Sequence, residues 1–206
     1  EGYPGNLLVS VRYTFDDECR LGIHYQALCD QDTVINLTNH SYFNLDGEDS
    51  ESVEGQHLQI FADSFAENDA GCLPTGRIVS LDSEEGAPFD FREPTEIGKR
   101  LHEENIHLKN GSGYDHNYLL KKQPDGLCAR AYSRSSGILL ECRTSEPGMQ
   151  LYTGNFLSTS NIVGKGGKSY ADRAGFCLET QHYPNAMEHP EFPSVVLPAG
   201  ELYDTT

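Results

Sequence analysis

The feature that most constrains this chain is a period-two alternation that recurs in short stretches along its length. Leu7, Val9, Val11, Tyr13 and Phe15 fall on one face of an extended segment, with Ser10, Arg12 and Thr14 opposite. Successive side chains of a strand point to opposite faces, so this pattern predicts a half-buried β-strand. Asp16-Asp17-Glu18 makes a polar turn, and Leu21, Ile23, Tyr25 and Ala27 alternate again, which completes a hairpin. Residues 33–38 are rich in β-branched side chains. Strand patterns follow over 56–61, 117–120, 128–133, 137–143, 149–153, 176–179 and 194–197, punctuated by 20 Gly and 10 Pro. Only 96–104 reads as a helix, a short one, with Ile97 and Leu101 on its inner face and Lys99 and Arg100 outside. Many strands with few intervening helices predict an all-β antiparallel sandwich, and no repeat or linker divides residues 1–206 into two domains. Segments 62–95 and 155–175 carry little regular pattern, and loops of that length are usually functional or specially packed.

Charge narrows the partners. With 32 acidic against 15 basic residues the net charge is -17. Such a chain repels nucleic acid and anionic membranes, and it has few cations with which to hold a phosphorylated ligand. A neutral or cationic small molecule fits better, although many of these acids serve only solubility. No apolar run approaches the ~20 residues of a membrane span, and residues 1–5 carry neither a positive cap nor an apolar stretch, so no signal peptide is expected. Six cysteines (Cys19, Cys29, Cys72, Cys128, Cys142 and Cys177) form no Cys-x-x-Cys pair, which argues against a zinc knuckle or a thioredoxin-type site. Their wide spacing and apolar surroundings read as free, buried thiols in a reducing compartment.

Three clusters could carry chemistry. His40 sits in Asn36-Leu37-Thr38-Asn39-His40-Ser41-Tyr42-Phe43, where a strand pattern gives way to a polar, aromatic-bearing segment. It is either a structural histidine or a group lining a cleft. Gly113-Tyr114-Asp115-His116-Asn117-Tyr118 crowds polar groups at the start of a strand, as an Asx-type turn would also do. Glu179 ends the apolar run of Gly175-Phe176-Cys177-Leu178-Glu179. Pointing to solvent it would be inert; buried, its pKa would rise toward that of a general base.

Other motifs fail on spacing. Residues 164–169 end like a phosphate-binding loop, but its first glycine should stand at Ile162. His102 and His107 are five apart, not four, so they do not form a zinc-protease helix. No Gly-x-Ser-x-Gly elbow is present. Asn36, Asn39 and Asn110 head glycosylation sequons, and a glycan on Asn39 would crowd His40, which favours an intracellular setting.

In order along the chain, NLTNHSYFNL (36–45), LPTGRI (73–78), PFDFR (88–92), GYDHNY (113–118), PGMQLYTGNF (147–156), GFCLETQHYP (175–184) and FPSVVLPAG (192–200) resemble the aldose 1-epimerase (galactose mutarotase) family. The resemblance implies an antiparallel β-supersandwich and the interconversion of α- and β-anomers of free aldoses such as galactose and glucose. It implies neither metal nor cofactor, and a monosaccharide partner; the free thiols and the sequon beside His40 make the expected location cytoplasmic. The resemblance implies His40 as general acid, Glu179 as general base, and Asp115 and Gln150 as sugar-binding residues. In the family, N-terminal strands also supply an arginine and a second histidine toward the sugar. Nothing before Asn36 matches them, so the chain is expected to be the C-terminal part of such a domain, completed by the missing segment. A hexose-6-phosphate 1-epimerase and a non-catalytic or truncated sugar-binding relative are the alternatives.

Overall fold

The computed structural model describes residues 2–160 and 163–206. Fourteen strands are named among them: β1 (Leu7–Phe15), β2 (Leu21–Cys29), β3 (Thr33–Val34), β4 (His57–Ile60), β5 (Ala62–Asn68), β6 (Pro74–Ser80) and β7 (Thr95–Glu96), then β8 (Asp115–Leu120), β9 (Leu127–Tyr132), β10 (Leu139–Arg143), β11 (Gly148–Tyr152), β12 (Cys177–Gln181), β13 (Val196–Leu197) and β14 (Leu202–Thr205). They pair antiparallel in sheets ordered β12-β11-β8-β5-β6, β10-β9-β4-β7, β1-β2-β14 and β13-β3. The expected antiparallel all-β architecture is therefore present.

The main core lies where the five-stranded and four-stranded sheets bring their apolar faces together. Phe65, Tyr118, Met149, Leu151 and Leu178 come from the first sheet, and Leu58, Ile60, Ala129 and Ala131 from the second. Segment 62–95, expected to be irregular, contributes β5 and β6 and then an aromatic plug. Phe89 stacks on Phe65 at 4.3 Å, and Phe91 is fully buried. The buried hydroxyls of Tyr118 and Tyr114 donate to the carbonyls of Phe89 and Pro88, each at 2.9 Å, so both phenols of the main core are paired. The pattern was hidden because Ser64, Glu67 and the loop to Pro74 break the alternation of apolar side chains.

The expected helix over 96–104 is not formed. Ile97 and Leu101 are buried as expected, but Ile97 N–H donates to Gln56 O and Gly98 N–H to Glu54 O. These bonds hold the backbone against segment 54–56, and only a short 3-10 turn, Ile97–Lys99, results. The α-helix lies further on as α1 (Ile106–Gly111), capped by the Asn105 side chain, which accepts from the N–H groups of His107 and Leu108. At six residues α1 is too short to show a helical period.

The β1–β2 hairpin forms in the expected register, from Leu7 opposite Cys29 to Phe15 opposite Leu21. The Asp16 carboxylate closes its turn by accepting from Arg20 Nε at 2.7 Å and from the backbone N–H groups of Glu18 and Arg20. β2 buries Ala27 and Cys29 in a small second core with Ile35 and Leu197. β1, expected to be half-buried, is exposed throughout. It is the outer strand of its sheet, and Val9, Val11, Tyr13 and Phe15 on its apolar face are all exposed. All six cysteines are unpaired, but Cys19 is exposed in the hairpin turn and Cys72 and Cys142 are only partly buried.

Candidate active site

Three adjacent strands of the five-stranded sheet obey the same parity. On β8, β11 and β12 the apolar side chains of Tyr118, Met149, Leu151 and Leu178 face the core, so the alternate residues face outward. Register sets those outward residues side by side. Asn117, Gln150 and Glu179 form one row across the sheet, and Asp115, Tyr152 and Cys177 form the next. In a third row a side chain on Gly148 would come within 2.8 Å of both Asn117 and Tyr183, so glycine there lets the wall close over the sheet.

His40 is brought over these rows by a segment bound at several points. The Asn36 amide exchanges two hydrogen bonds with the backbone of His182, and Phe43 and Phe176 exchange two backbone bonds of 2.8 and 2.9 Å. Between these anchors Asn39 Oδ1 accepts from Ser41 N–H, a local turn that projects the imidazole toward β12. His40 Nε2 then lies 3.4 Å from Glu179 Oε1, while His40 Nδ1 lies 3.3 Å from Cys177 Sγ. The rings of Tyr42 and Tyr152 pack at 5.1 and 5.9 Å from the imidazole.

Asp115 and Gln150 join the same site. Gln150 Nε2 donates to Asp115 Oδ1 at 2.7 Å. The strand start that carries Asp115 is fixed by Asn68, whose Nδ2 donates to Asp115 O, and by Asn155, whose Nδ2 donates to the carbonyls of Gly111 and Tyr114. Gly113, at φ 137, makes the turn into β8 while passing close to Asn155. Gln150 Oε1 and both amide atoms of Asn117 are buried with no hydrogen-bond partner among the described residues. Unpaired buried polar groups are rare in interiors kept for stability alone.

The four site residues expected from sequence thus meet in one cleft of about 380 Å³. Tyr42, Tyr152, Phe156, Gln181 and Pro184 complete its lining. Sequence reading passed over these five, although strand parity places Tyr152 two residues from Gln150 and Gln181 two from Glu179. The electrostatics follow from burial. Glu179 is only 8% exposed, and desolvation raises its carboxyl pKa; the His40 ring opposes that rise and the Asp115 charge adds to it. Asp115 is raised by burial too, against the pull of the Gln150 hydrogen bond and of His40. Burial, helped by the acidic groups around it, pushes the Tyr42 phenol up to about 12. His40, with half its side chain exposed, is the member of the pair that reaches solvent. Among the described residues no Lys or Arg lines the cleft.

The rejected motifs stay apart from this site. The glycine-rich stretch forms an exposed 3-10 turn, Lys165–Gly167, and Ile162 lies outside the described residues. His102 pairs with Glu54 at 3.1 Å on the surface, whereas His107 is buried beside Phe65.

Fold and site together define a galactose mutarotase-like β-sandwich with a carboxylate and an imidazole facing each other in a polar cleft. The chain belongs to the aldose 1-epimerase family, whose sequence pattern matches residues 1–206. It is 45% identical to a galactose mutarotase of Bos taurus over 207 residues, covering 100% of this chain and 58% of that protein. It is 37% identical to an aldose 1-epimerase of Escherichia coli (strain K12) over 209 residues, again covering 100% and 58%. An aldose epimerase homologue from C. elegans superposes with a TM-score of 0.86 at 32% identity, over 99% of this chain and 59% of that one. A galactose 1-epimerase from Lactobacillus acidophilus superposes with a TM-score of 0.81 at 29% identity, over 98% and 56%. The chain therefore spans less than two thirds of the length of these relatives. Among the described residues no helix is long and apolar enough to cross a membrane.

Proposed function

We propose that this chain carries the acid/base half of an aldose 1-epimerase, which interconverts the α- and β-anomers of free aldoses such as galactose and glucose. The observation that carries the reading is the contact of His40 with the buried Glu179 in a cleft that also holds Asp115 and Gln150. Glu179 takes the proton from the C1 hydroxyl while His40, protonated, gives one to the ring oxygen. The C1–O5 bond breaks and an aldehyde forms. Rotation about C1–C2 presents the other carbonyl face, and the two groups act in reverse to close the ring. A positioned proton transfer is worth roughly 10²–10⁴ in rate. Asp115 and Gln150 hold sugar hydroxyls and so fix which oxygen faces which group.

A carboxylate held in a poorly solvated strand end has the raised basicity such a base needs. The phosphorylated-sugar alternative lacks support, since no Lys or Arg among the described residues lines the cleft to hold a phosphate. We further read residues 1–206 as the C-terminal part of one domain, in which a segment present in the longer relatives packs on the bare face of β1. A cytoplasmic setting agrees with six unpaired cysteines and with the sequon beside His40. Polarimetry tests the reading. Purified protein, completed by any preceding segment, should speed mutarotation of α-galactose over buffer and leave its 6-phosphate slower. Faster conversion of the phosphate, or no acceleration of either sugar, would sink it.

A further inference from the structure

Cys177 is a buried nucleophile that the proton transfers do not use, yet its sulfur points into the acid/base pair. One ligand atom each from His40, Cys177 and Glu179 can be chosen so that all three lie within 4.8 Å of one another. Cys177 Sγ lies 3.3 Å from His40 Nδ1, whereas Glu179 Oε1 lies 3.4 Å from His40 Nε2, so only one of these two spacings can belong to the metal-bound nitrogen and the remaining ligand stands within 4.8 Å of it. A tetrahedral Zn²⁺ with sulfur at about 2.3 Å and nitrogen or oxygen at about 2.0–2.2 Å spaces its ligands at about 3.3–3.6 Å. Two of the three ligands come from one strand at i and i+2, so they share a face without any rearrangement of β12. The third comes from the anchored turn above it. The cleft leaves an open side for a water molecule as fourth ligand.

From this arrangement we propose that His40, Cys177 and Glu179 form a binding site for Zn²⁺, one that shuts the acid/base pair rather than serving it. Binding exchanges a proton for the metal: the Cys177 S–H bond breaks, a Zn–S bond forms and H⁺ leaves to solvent. Burial first, and then the neighbouring Glu179 and Asp115 carboxylates, disfavour a bare thiolate here, whereas the same carboxylates attract a dication. A thiolate, an imidazole and a carboxylate together select Zn²⁺ over Mg²⁺ or Ca²⁺, which prefer all-oxygen sites. Bound metal would occupy the lone pairs with which Glu179 and His40 handle protons. That consequence rests on the anomerisation reading, whereas the binding itself does not.

The test reads binding, so its failure is separable from a failure of that reading. In a Cys19→Ser background, which removes the exposed thiol, competition against a chromogenic chelator should show one Zn²⁺ per chain with Mg²⁺ in excess. Cys177→Ser should weaken this by about 10- to 100-fold or more, since even loss of an outer partner of a metal ligand costs that much. Co²⁺ in place of Zn²⁺ should give a near-ultraviolet thiolate charge-transfer band that Cys177→Ser abolishes. Should Cys177→Ser fail to fold, Glu179→Gln should keep the band but weaken binding on the same scale. Absence of the band before any change at Cys177, or equal affinity in the variants that fold, overturns the proposal.

Discussion

β11 and β1 carry the same alternating pattern and end in opposite surroundings. On β11, Met149 and Leu151 are fully buried in the main core, and the outward Gln150 and Tyr152 line the cleft. On β1, Val9, Val11, Tyr13 and Phe15 alternate as cleanly, yet they are 40%, 42%, 58% and 73% exposed. Val11 stands opposite Tyr25 and Val9 opposite Ala27, so the bare face continues the face of β2 that is buried. Alternation therefore reports that two faces of a strand differ. It does not report what covers the apolar face, or whether the polar one meets water or a ligand.

The comparison breaks first at the outward face of β12. Glu179→Ala and His40→Ala should each lower kcat for galactose mutarotation by roughly 10²–10⁴, read by polarimetry. A near wild-type kcat in either variant would remove that residue from its role. The inward face of β11 comes next. Leu151→Ala should destabilise the protein by about 2–5 kcal/mol in denaturant melts, the scale of a cavity in a packed core. A loss below about 1 kcal/mol would mean that the two sheets do not pack as described. Asp115→Ala should lower kcat/KM by about 10- to 100-fold through KM, since a hydrogen bond to a charged group is worth about 1.5–3 kcal/mol.

A smaller effect separates the two roles of Glu179. Its folded pKa is raised, so between its unfolded and folded values the native state binds more protons than the unfolded one. Stability owed to this group therefore falls as pH rises through that window, and above it the native state carries a buried charge that His40 only partly offsets. On the proposed role of Glu179 as base, activity runs the other way, because a base must be ionised. Glu179→Gln should melt higher than wild type at neutral pH, lose that advantage in acid, and be inactive. A lower Tm at neutral pH would show that the charge is stabilised by His40 more than burial opposes it.

Clustering near strand ends marked His40, Asp115 and Glu179 only as candidates; the family resemblance supplied their expected roles and added Gln150, and all four side chains line one cleft. Cys177 was read only as a buried thiol, yet it is two residues from Glu179 and touches His40. Tyr42 is exposed for nearly half its surface and joins the site only because the Phe43–Phe176 bridge draws its segment over β12. Fold class was legible because period two needs no tertiary knowledge. β5, β14 and α1 were not: β5 mixes Ser and Glu into its run, β14 is four residues long, and α1 spans less than two turns. The false helix at 96–104 had the right buried residues, and only the backbone bonds from Ile97 and Gly98 to segment 54–56 decide against it.

The smallest expected effect is the sharpest test of β1. As the structure stands, Val11→Ala removes side-chain atoms of an exposed residue on an outer strand, so it should change stability by less than about 0.5 kcal/mol. Val11 is the right residue to ask, because its face-mate Tyr25 is buried on the neighbouring strand and would feel any cover laid across both. A loss of 1 kcal/mol or more that is independent of protein concentration would mean that a segment of the same chain covers this face. A loss that grows as the protein is concentrated would mean that a second copy does, since only association makes apparent stability depend on concentration. In either case the difference between β11 and β1 would reduce to which partner buries the apolar face, and alternation alone would have marked both strands correctly.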